Sequence, residues 1–210
     1  LYDKRNQVSF VSQGIISYLA GQKSVLFQSS YSSVEELKEA GLNMQMETVI
    51  EEIDTNHKKV FYRRNNSKKT KVTDYDKLIL ATGSYPAMTS VPFDKKSNLY
   101  FLKSMEDAIK AEEFLATAKN IAVIGGGMTG VEVARITQDR GIQTTLIHRN
   151  KNLLNDYLDE PASRLLESWM NAEGTRLLLN TEVTEISVDG ENTVVQTCLL
   201  YTSPSPRDCS

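Results

Sequence analysis

Asn120 to Arg135 reads NIAVIGGGMTGVEVAR, and this stretch decides the fold. Ile121, Ala122, Val123 and Ile124 run straight into Gly125-Gly126-Gly127-Met128-Thr129-Gly130. Val131, Val133 and Ala134 then recur as the apolar positions of a helix. The pattern is G-x-G-x-x-G between a buried parallel strand and a helix, the context in which it holds a dinucleotide. Gly125 allows the tight turn, Gly127 lets the backbone approach a pyrophosphate, and Gly130 lets helix and strand pack closely. The helix N-terminus offers free N–H groups and a positive dipole end to the phosphates. Gly141 and a strand over Gln143 to His148 follow where a second parallel strand belongs.

The neighbouring stretches extend this alternation. Upstream, Ser104 and Asp107 cap a helix that leads into the central strand. Asp76 to Ser84, DKLILATGS, reads as a buried apolar strand running into Thr82-Gly83, with Pro86 and Pro92 marking a connection beyond it. Downstream, Pro161 sits near the start of a helix reaching Asn171, with Gly174 past its end. Arg176 to Asn180, Glu182 to Val188 and Val194 to Gln196 read as strands. Nearer the N-terminus, Val60 to Arg63 and Lys71 to Tyr75 form a hairpin around Asn65-Asn66-Ser67, and Met44 to Ile53 reads as a strand. Ser33 and Glu36 form a capping box for a helix closed by Gly41. Ser9 to Ala20 enters an apolar helical turn ending at Gly21, and Leu1 to Asp3 is a strand end finishing in an acid. Two α/β units on either side of a proline-marked linker follow from this order.

Composition narrows the classes. The chain has 210 residues, 40% hydrophobic and 24% charged, with a net charge of -3. That supports a packed core and gives no basic surface for nucleic acid or an anionic membrane. The Lys68, Lys69 and Lys71 cluster lacks aromatic neighbours and reads as a solvated hairpin tip. No apolar run approaches a membrane span, and no signal peptide opens the chain. The expectation is a cytoplasmic protein without a metal site. The first residue is Leu1, within what reads as a strand, so the sequence reads as a fragment. Its two cysteines, Cys198 and Cys209, lie in CLLYTSPSPRDCS, a Ser/Pro mixture without periodicity that resembles a translated sequencing adapter. The expected division is therefore 1–102, 103–197 and a non-native tail over 198–210.

Three ordered stretches together resemble the FAD-dependent pyridine nucleotide-disulfide oxidoreductases, and most closely the branch of coenzyme A-disulfide reductase, NADH oxidase and NADH peroxidase. YDKLILATGS (75–84) is similar to the family's second flavin motif, IGGGMTGVE (124–132) to its nicotinamide-nucleotide fingerprint, and YDKRNQVSFVSQG (2–14) to the segment between the flavin-ribose acid and the redox site. The resemblance implies two Rossmann-like units, FAD-binding over 1–102 and NAD(P)-binding over 103–197. The first unit would lack its N-terminal strand and GxGxxG helix, roughly 30 residues of a βαβ unit. It implies FAD at Asp3, Thr82 and Gly83. It implies NAD(P)H at Gly125, Gly127, Met128, Thr129, Gly130, Glu132, His148, Arg149 and Lys151, and a homodimer in the full-length form. A carboxylate at Asp3 suits ribose because it accepts from both hydroxyls. Met128 stands where relatives often have a tyrosine over the flavin, and Glu132 matches a family glutamate near the nicotinamide.

Two departures carry the functional expectation. Ser9-Phe10-Val11-Ser12-Gln13-Gly14 has Gln13 where the family has its redox cysteine. Glutamine is neither nucleophilic nor redox-active, so the thiol chemistry is closed at that position. Hydride transfer from NAD(P)H to flavin remains, with reoxidation by O₂ or another small acceptor. The alternatives are a coenzyme A-disulfide or peroxide reductase homologue with a thiol from elsewhere, and a non-catalytic nucleotide-binding module. The second departure is His148-Arg149, with Lys151 close behind, where an acid would select NAD. The basic loop favours the 2′-phosphate of NADPH, with NADH as the alternative.

Overall fold

The structure is a computed structural model that describes residues 1–5, 13–24, 32–84, 86 and 91–199. Ser9 to Ser12 and the tail from 200 onward lie outside the described residues. The chain forms two compact units, one of residues 1–14 and 24–85, the other of 15–23 and 86–210.

In the first unit, α2 (Val34–Glu39) follows the capping box the sequence predicts, with Ser33 and Glu36 each bonding the other's backbone. An antiparallel meander follows: β1 (Thr48–Asp54), β2 (Lys59–Arg64) and β3 (Lys71–Asp74). A register shift between Ile50 and Glu52 interrupts the β1–β2 ladder. Leu1 to Asp3 joins this unit through a parallel bridge of Tyr2 with Gln45, and Thr48 N–H donates to the Asp3 carbonyl at 2.8 Å. The Tyr2 and Tyr62 rings lie 4.8 Å apart, and Val60, Met44 and Thr48 are buried.

Here the structure corrects one expectation. Asp76 to Ser84 forms no strand, and Leu78, Ile79 and Leu80 are 38%, 88% and 66% exposed. An apolar run reads as a buried strand only if something pairs with it and covers it. Among the described residues, no strand of this unit lies beside it.

The second unit is built on a parallel sheet of order β4-β5-β6: Asn120–Ile124, Gln143–Ile147 and Arg176–Leu178. Two helices connect the strands, α4 (Met128–Asp139) and α5 (Glu160–Ala172). β5 is central and buries Thr144, Leu146 and Ile147, while α4 turns Val133, Ala134 and Thr137 inward. The Thr137 hydroxyl lies 2.9 Å from that of Thr144 and donates to carbonyls of its own helix, so both buried hydroxyls are partnered. β4 is less buried than its sequence suggests, with Ile124 43% exposed. It pairs only with β5 among the described residues and therefore borders the sheet.

Helix α3 (Met105–Leu115) begins at the Ser104–Asp107 box and buries Ala108, Ala111 and Leu115. Helix α1 (Gln13–Leu19) buries Ile15, Tyr18 and Leu19, the one-face spacing of an amphipathic helix. The Arg140 guanidinium donates to the Leu19 carbonyl and to Glu112, which also pairs with Lys23 at 2.6 Å. Burial would raise the Glu112 carboxyl, but hydrogen bonds from Lys23 and Arg140 hold it below its ordinary value. A long hairpin, β7 (Thr181–Asp189) and β8 (Asn192–Leu199), packs Val183 and Ile186 against Ile147 of the parallel sheet. Pro92 and Asp94 bond the backbone of Ile186, so residues 91–94 run with this unit. β8 extends on both sides of the strand expected over Val194 to Gln196, and in it Cys198 pairs with Glu182 and buries its side chain.

Candidate dinucleotide-binding site

The glycine turn is formed as its residue types require. Gly125 leaves β4 at φ +112°, a backbone that L side chains rarely adopt, and its N–H donates to the Ile147 carbonyl at 2.8 Å. A Cβ on Gly130 would lie 1.8 Å from the Gly125 oxygen, so the close helix–strand contact excludes any side chain there. At Gly127 the situation reverses. Among the described residues, nothing beyond its own chain neighbours stands within 4 Å of where a Cβ would be, which leaves room there for a ligand. Gly127 is also the N-cap of α4, has no side-chain cap, and is followed by no acid in the first turn. The first N–H groups of α4 and the positive end of its dipole are thereby left for an anion. Met128 is 53% exposed at this end, and Thr129 and Glu132 are exposed beside it.

Gly126, the unassigned position of the motif, is buried and bonded through both its N–H and its carbonyl. Its N–H donates to His148 Nδ1 at 3.0 Å, and its carbonyl accepts from Leu154 N–H at 2.9 Å. A Cβ on Gly126 would meet Leu153 Cδ2 at 2.6 Å and the His148 ring at 2.7 Å. Sequence reasoning missed this role, because nothing local distinguishes Gly126 from the glycines around it.

Residues 148–155 are anchored on several sides. The His148 backbone bonds Leu178 and Thr181, Leu153 is fully buried, and Ser163 Oγ donates to the Leu153 carbonyl at 2.6 Å. The three basic residues expected at the adenosine end are not equivalent. Lys151 is paired with Glu160 at 3.1 Å, and Lys151 and Arg164 hold the Glu160 carboxyl below its ordinary value. His148 points its ring at the glycine turn. Arg149 is exposed and, among the described residues, has no hydrogen bond or ion pair.

In the other unit, Asp3 receives both Arg5 Nε at 3.0 Å and Arg5 Nη2 at 2.7 Å, plus the Arg5 backbone N–H at 2.9 Å. Burial alone would raise the Asp3 carboxyl, but these bonds hold it below its ordinary value. Thr82 and Gly83 are exposed, and Gly83 turns at φ +72° with, among the described residues, nothing beyond its chain neighbours within 4 Å of where a Cβ would be. Gln13 opens α1, with its side chain outside the described part. Asp3 can offer ribose only the acceptor capacity that Arg5 leaves.

Residues 3–202 match the family model described as pyridine nucleotide-disulphide oxidoreductase. The chain belongs to this family. An NADH oxidase of Enterococcus faecalis is 31% identical over 196 residues, covering 93% of this chain and 44% of the relative. A rubredoxin–NAD(+) reductase of Ectopseudomonas oleovorans is 31% identical over 159 residues, covering 76% of this chain and 40% of the relative. Among solved structures, the water-forming NADH oxidase of Lactobacillus brevis bound to NADH superposes with a TM-score of 0.86 at 28% identity, over 93% of this chain and 44% of that one. An engineered NADPH oxidase made from it, bound to NADPH, gives 0.88 at 28% identity and the same coverage. The chain thus spans less than half the length of these relatives. Among the described residues, no helix is long and apolar enough to cross a membrane.

Proposed function

We propose that the protein is an FAD-dependent NAD(P)H oxidoreductase of the oxidase type, with NADPH as its preferred donor. The observation that carries the reading is the turn itself, with Gly130 closed against Gly125, Gly127 open, and the end of α4 uncapped. That end binds the pyrophosphate through the backbone N–H groups of its first turn. Arg149 serves the adenosine 2′-phosphate, because it is the exposed cation of the loop without a partner among the described residues. In the solved pair above, the engineered NADPH oxidase carries an aspartate-to-alanine and an alanine-to-arginine change among its substitutions. A loop reading His148-Arg149 has the same character: no acid and a free guanidinium.

Bound FAD would supply the hydride acceptor and the route onward to the electron acceptor. This chain would hold it through Asp3 and the Thr82-Gly83 turn. With Gln13 at the redox-cysteine position, the protein offers no thiol there to carry electrons to a disulfide. Turnover in air then balances as NADPH, a proton and O₂ giving NADP⁺ and hydrogen peroxide. The full-length form is read as a homodimer acting in the cytoplasm on a small-molecule acceptor.

The test follows NADPH consumption in air by the full-length, flavin-loaded protein, with peroxide detection, with and without coenzyme A disulfide. Peroxide formation indifferent to the disulfide is the expected result. Turnover driven by the disulfide would show that a thiol comes from elsewhere and would overturn the reading of Gln13.

A further inference from the structure

We infer that His148 is a positioning residue that acts as a neutral brace for the phosphate-binding turn, and is not a cationic contact to the 2′-phosphate. The inference rests on the nucleotide site proposed above but assigns this side chain a different task. His148 Nδ1 is the acceptor for Gly126 N–H at 3.0 Å. A ring nitrogen accepts only when it carries no proton, and in the imidazolium both nitrogens are donors. The bond therefore needs the neutral ring with its proton on Nε2. That proton faces Asn155 Oδ1 at 3.4 Å. Asn155 Oδ1 is itself fixed by Asn150 Nδ2 at 2.9 Å, and its Nδ2 reaches Asp156.

The contact is steric as well as polar. The ring occupies the place that a Gly126 side chain would take, 2.7 Å from the would-be Cβ, and Leu153 fills the other side. Leu154 N–H takes the Gly126 carbonyl. Both polar groups of the Gly126 backbone are thus held by one eight-residue loop. That loop is anchored by β6, by Thr181, and by Glu167, which accepts from Leu153 N–H at 2.9 Å. Gly126 stands between Gly125, at φ +112°, and the cap Gly127. Fixing its peptide fixes the direction in which the open end of α4 presents its N–H groups. Pre-set donors bind an anion without a further ordering cost.

A brace and a phosphate contact differ in what they discriminate. The turn is common to both nucleotides, so losing a brace weakens NADPH and NADH alike, whereas losing a phosphate contact weakens NADPH alone. The test uses the full chain and two readouts. First, ring-¹⁵N-histidine spectra report which nitrogen of each imidazole is protonated. The chain has two histidines, and the other, His57, sets its Nδ1 2.6 Å from the carboxylate oxygen Asp54 Oδ2, a contact that calls for a proton on Nδ1. An unprotonated Nδ1 on one ring and a protonated Nδ1 on the other is expected. A protonated Nδ1 on both overturns the brace whatever the nucleotide does.

Second, calorimetry with NADPH and with NADH compares wild type, His148→Ala and His148→Asn. The asparagine Oδ1 stands on Cγ as Nδ1 does and keeps an acceptor. The alanine variant should bind both nucleotides about tenfold more weakly, the scale of one net backbone hydrogen bond, and the asparagine variant should recover most of that loss. A loss confined to NADPH, or no recovery by asparagine, overturns the inference. If wild type binds neither nucleotide, the reading of the site fails, while the ring spectrum still decides the brace by itself.

Discussion

A Cβ on Gly130 would stand 1.8 Å from the carbonyl oxygen of Gly125, so the first turn of α4 and the end of β4 touch backbone to backbone. The obstacle is a backbone carbonyl of the turn rather than the flexible tip of a side chain. Gly130→Ala must therefore move the helix or the turn. We expect a stability loss of about 1–3 kcal/mol, the usual range for forced overpacking, and a larger proportional loss of NADPH binding. Urea unfolding and calorimetry measure the two, and an alanine variant with wild-type affinity would contradict the backbone contact.

Arg149→Ala separates the two nicotinamide nucleotides. A charge-assisted hydrogen bond is worth about 1.5–3 kcal/mol, so NADPH should bind roughly ten- to a hundredfold more weakly while NADH is unchanged. Equal losses for both would remove Arg149 from the 2′-phosphate. Lys151→Ala should change less, because Lys151 is already paired with Glu160 at 3.1 Å.

The α5 N-terminus gives a prediction independent of any ligand. Asp159 Oδ1 accepts from Ala162 N–H at 3.0 Å with Pro161 in the first turn. Asp159→Ala should cost about 1 kcal/mol, while Asp159→Asn, which keeps the acceptor, should cost less. Equal midpoints for both variants in chemical denaturation would show that the cap contributes nothing.

The Asp3–Arg5 pair makes the first unit acid-sensitive. The carboxyl is held below its ordinary value in the fold, so its contribution is fully present above the unfolded value of about 3.9. It is lost as the pH falls through the lower folded value. Asp3→Asn should therefore flatten the acid side of the thermal-stability profile. A profile that keeps its slope would place the acid sensitivity in other carboxylates.

Much of the second unit was legible from Asn120 to Arg135, because a glycine motif between two periodicities constrains strand, turn and helix together. The capping boxes at Ser33 and Ser104 were equally legible, being local in the chain. What the sequence did not show is tertiary. The Gly126–His148 bond joins residues 22 apart, and an imidazole beside an arginine reads as charge until its partner is known. The pairing of Lys151 with Glu160 joins residues nine apart across the loop and is equally invisible in the sequence. Leu78, Ile79 and Leu80 looked buried because apolarity records a tendency to be covered and says nothing of what covers it.

That exposed run has a practical consequence. Three adjacent branched apolar residues outside any strand, with no strand beside them among the described residues, are the kind of segment that seeks another sheet edge in a concentrated solution. The handling of the 210-residue chain should therefore be limited by self-association before it is limited by unfolding. Its solubility should fall with concentration at temperatures where the parallel sheet around Leu146 is still intact. A charged residue at Ile79, the most open of the three at 88% exposure, is the change that would raise that ceiling without touching the nucleotide turn.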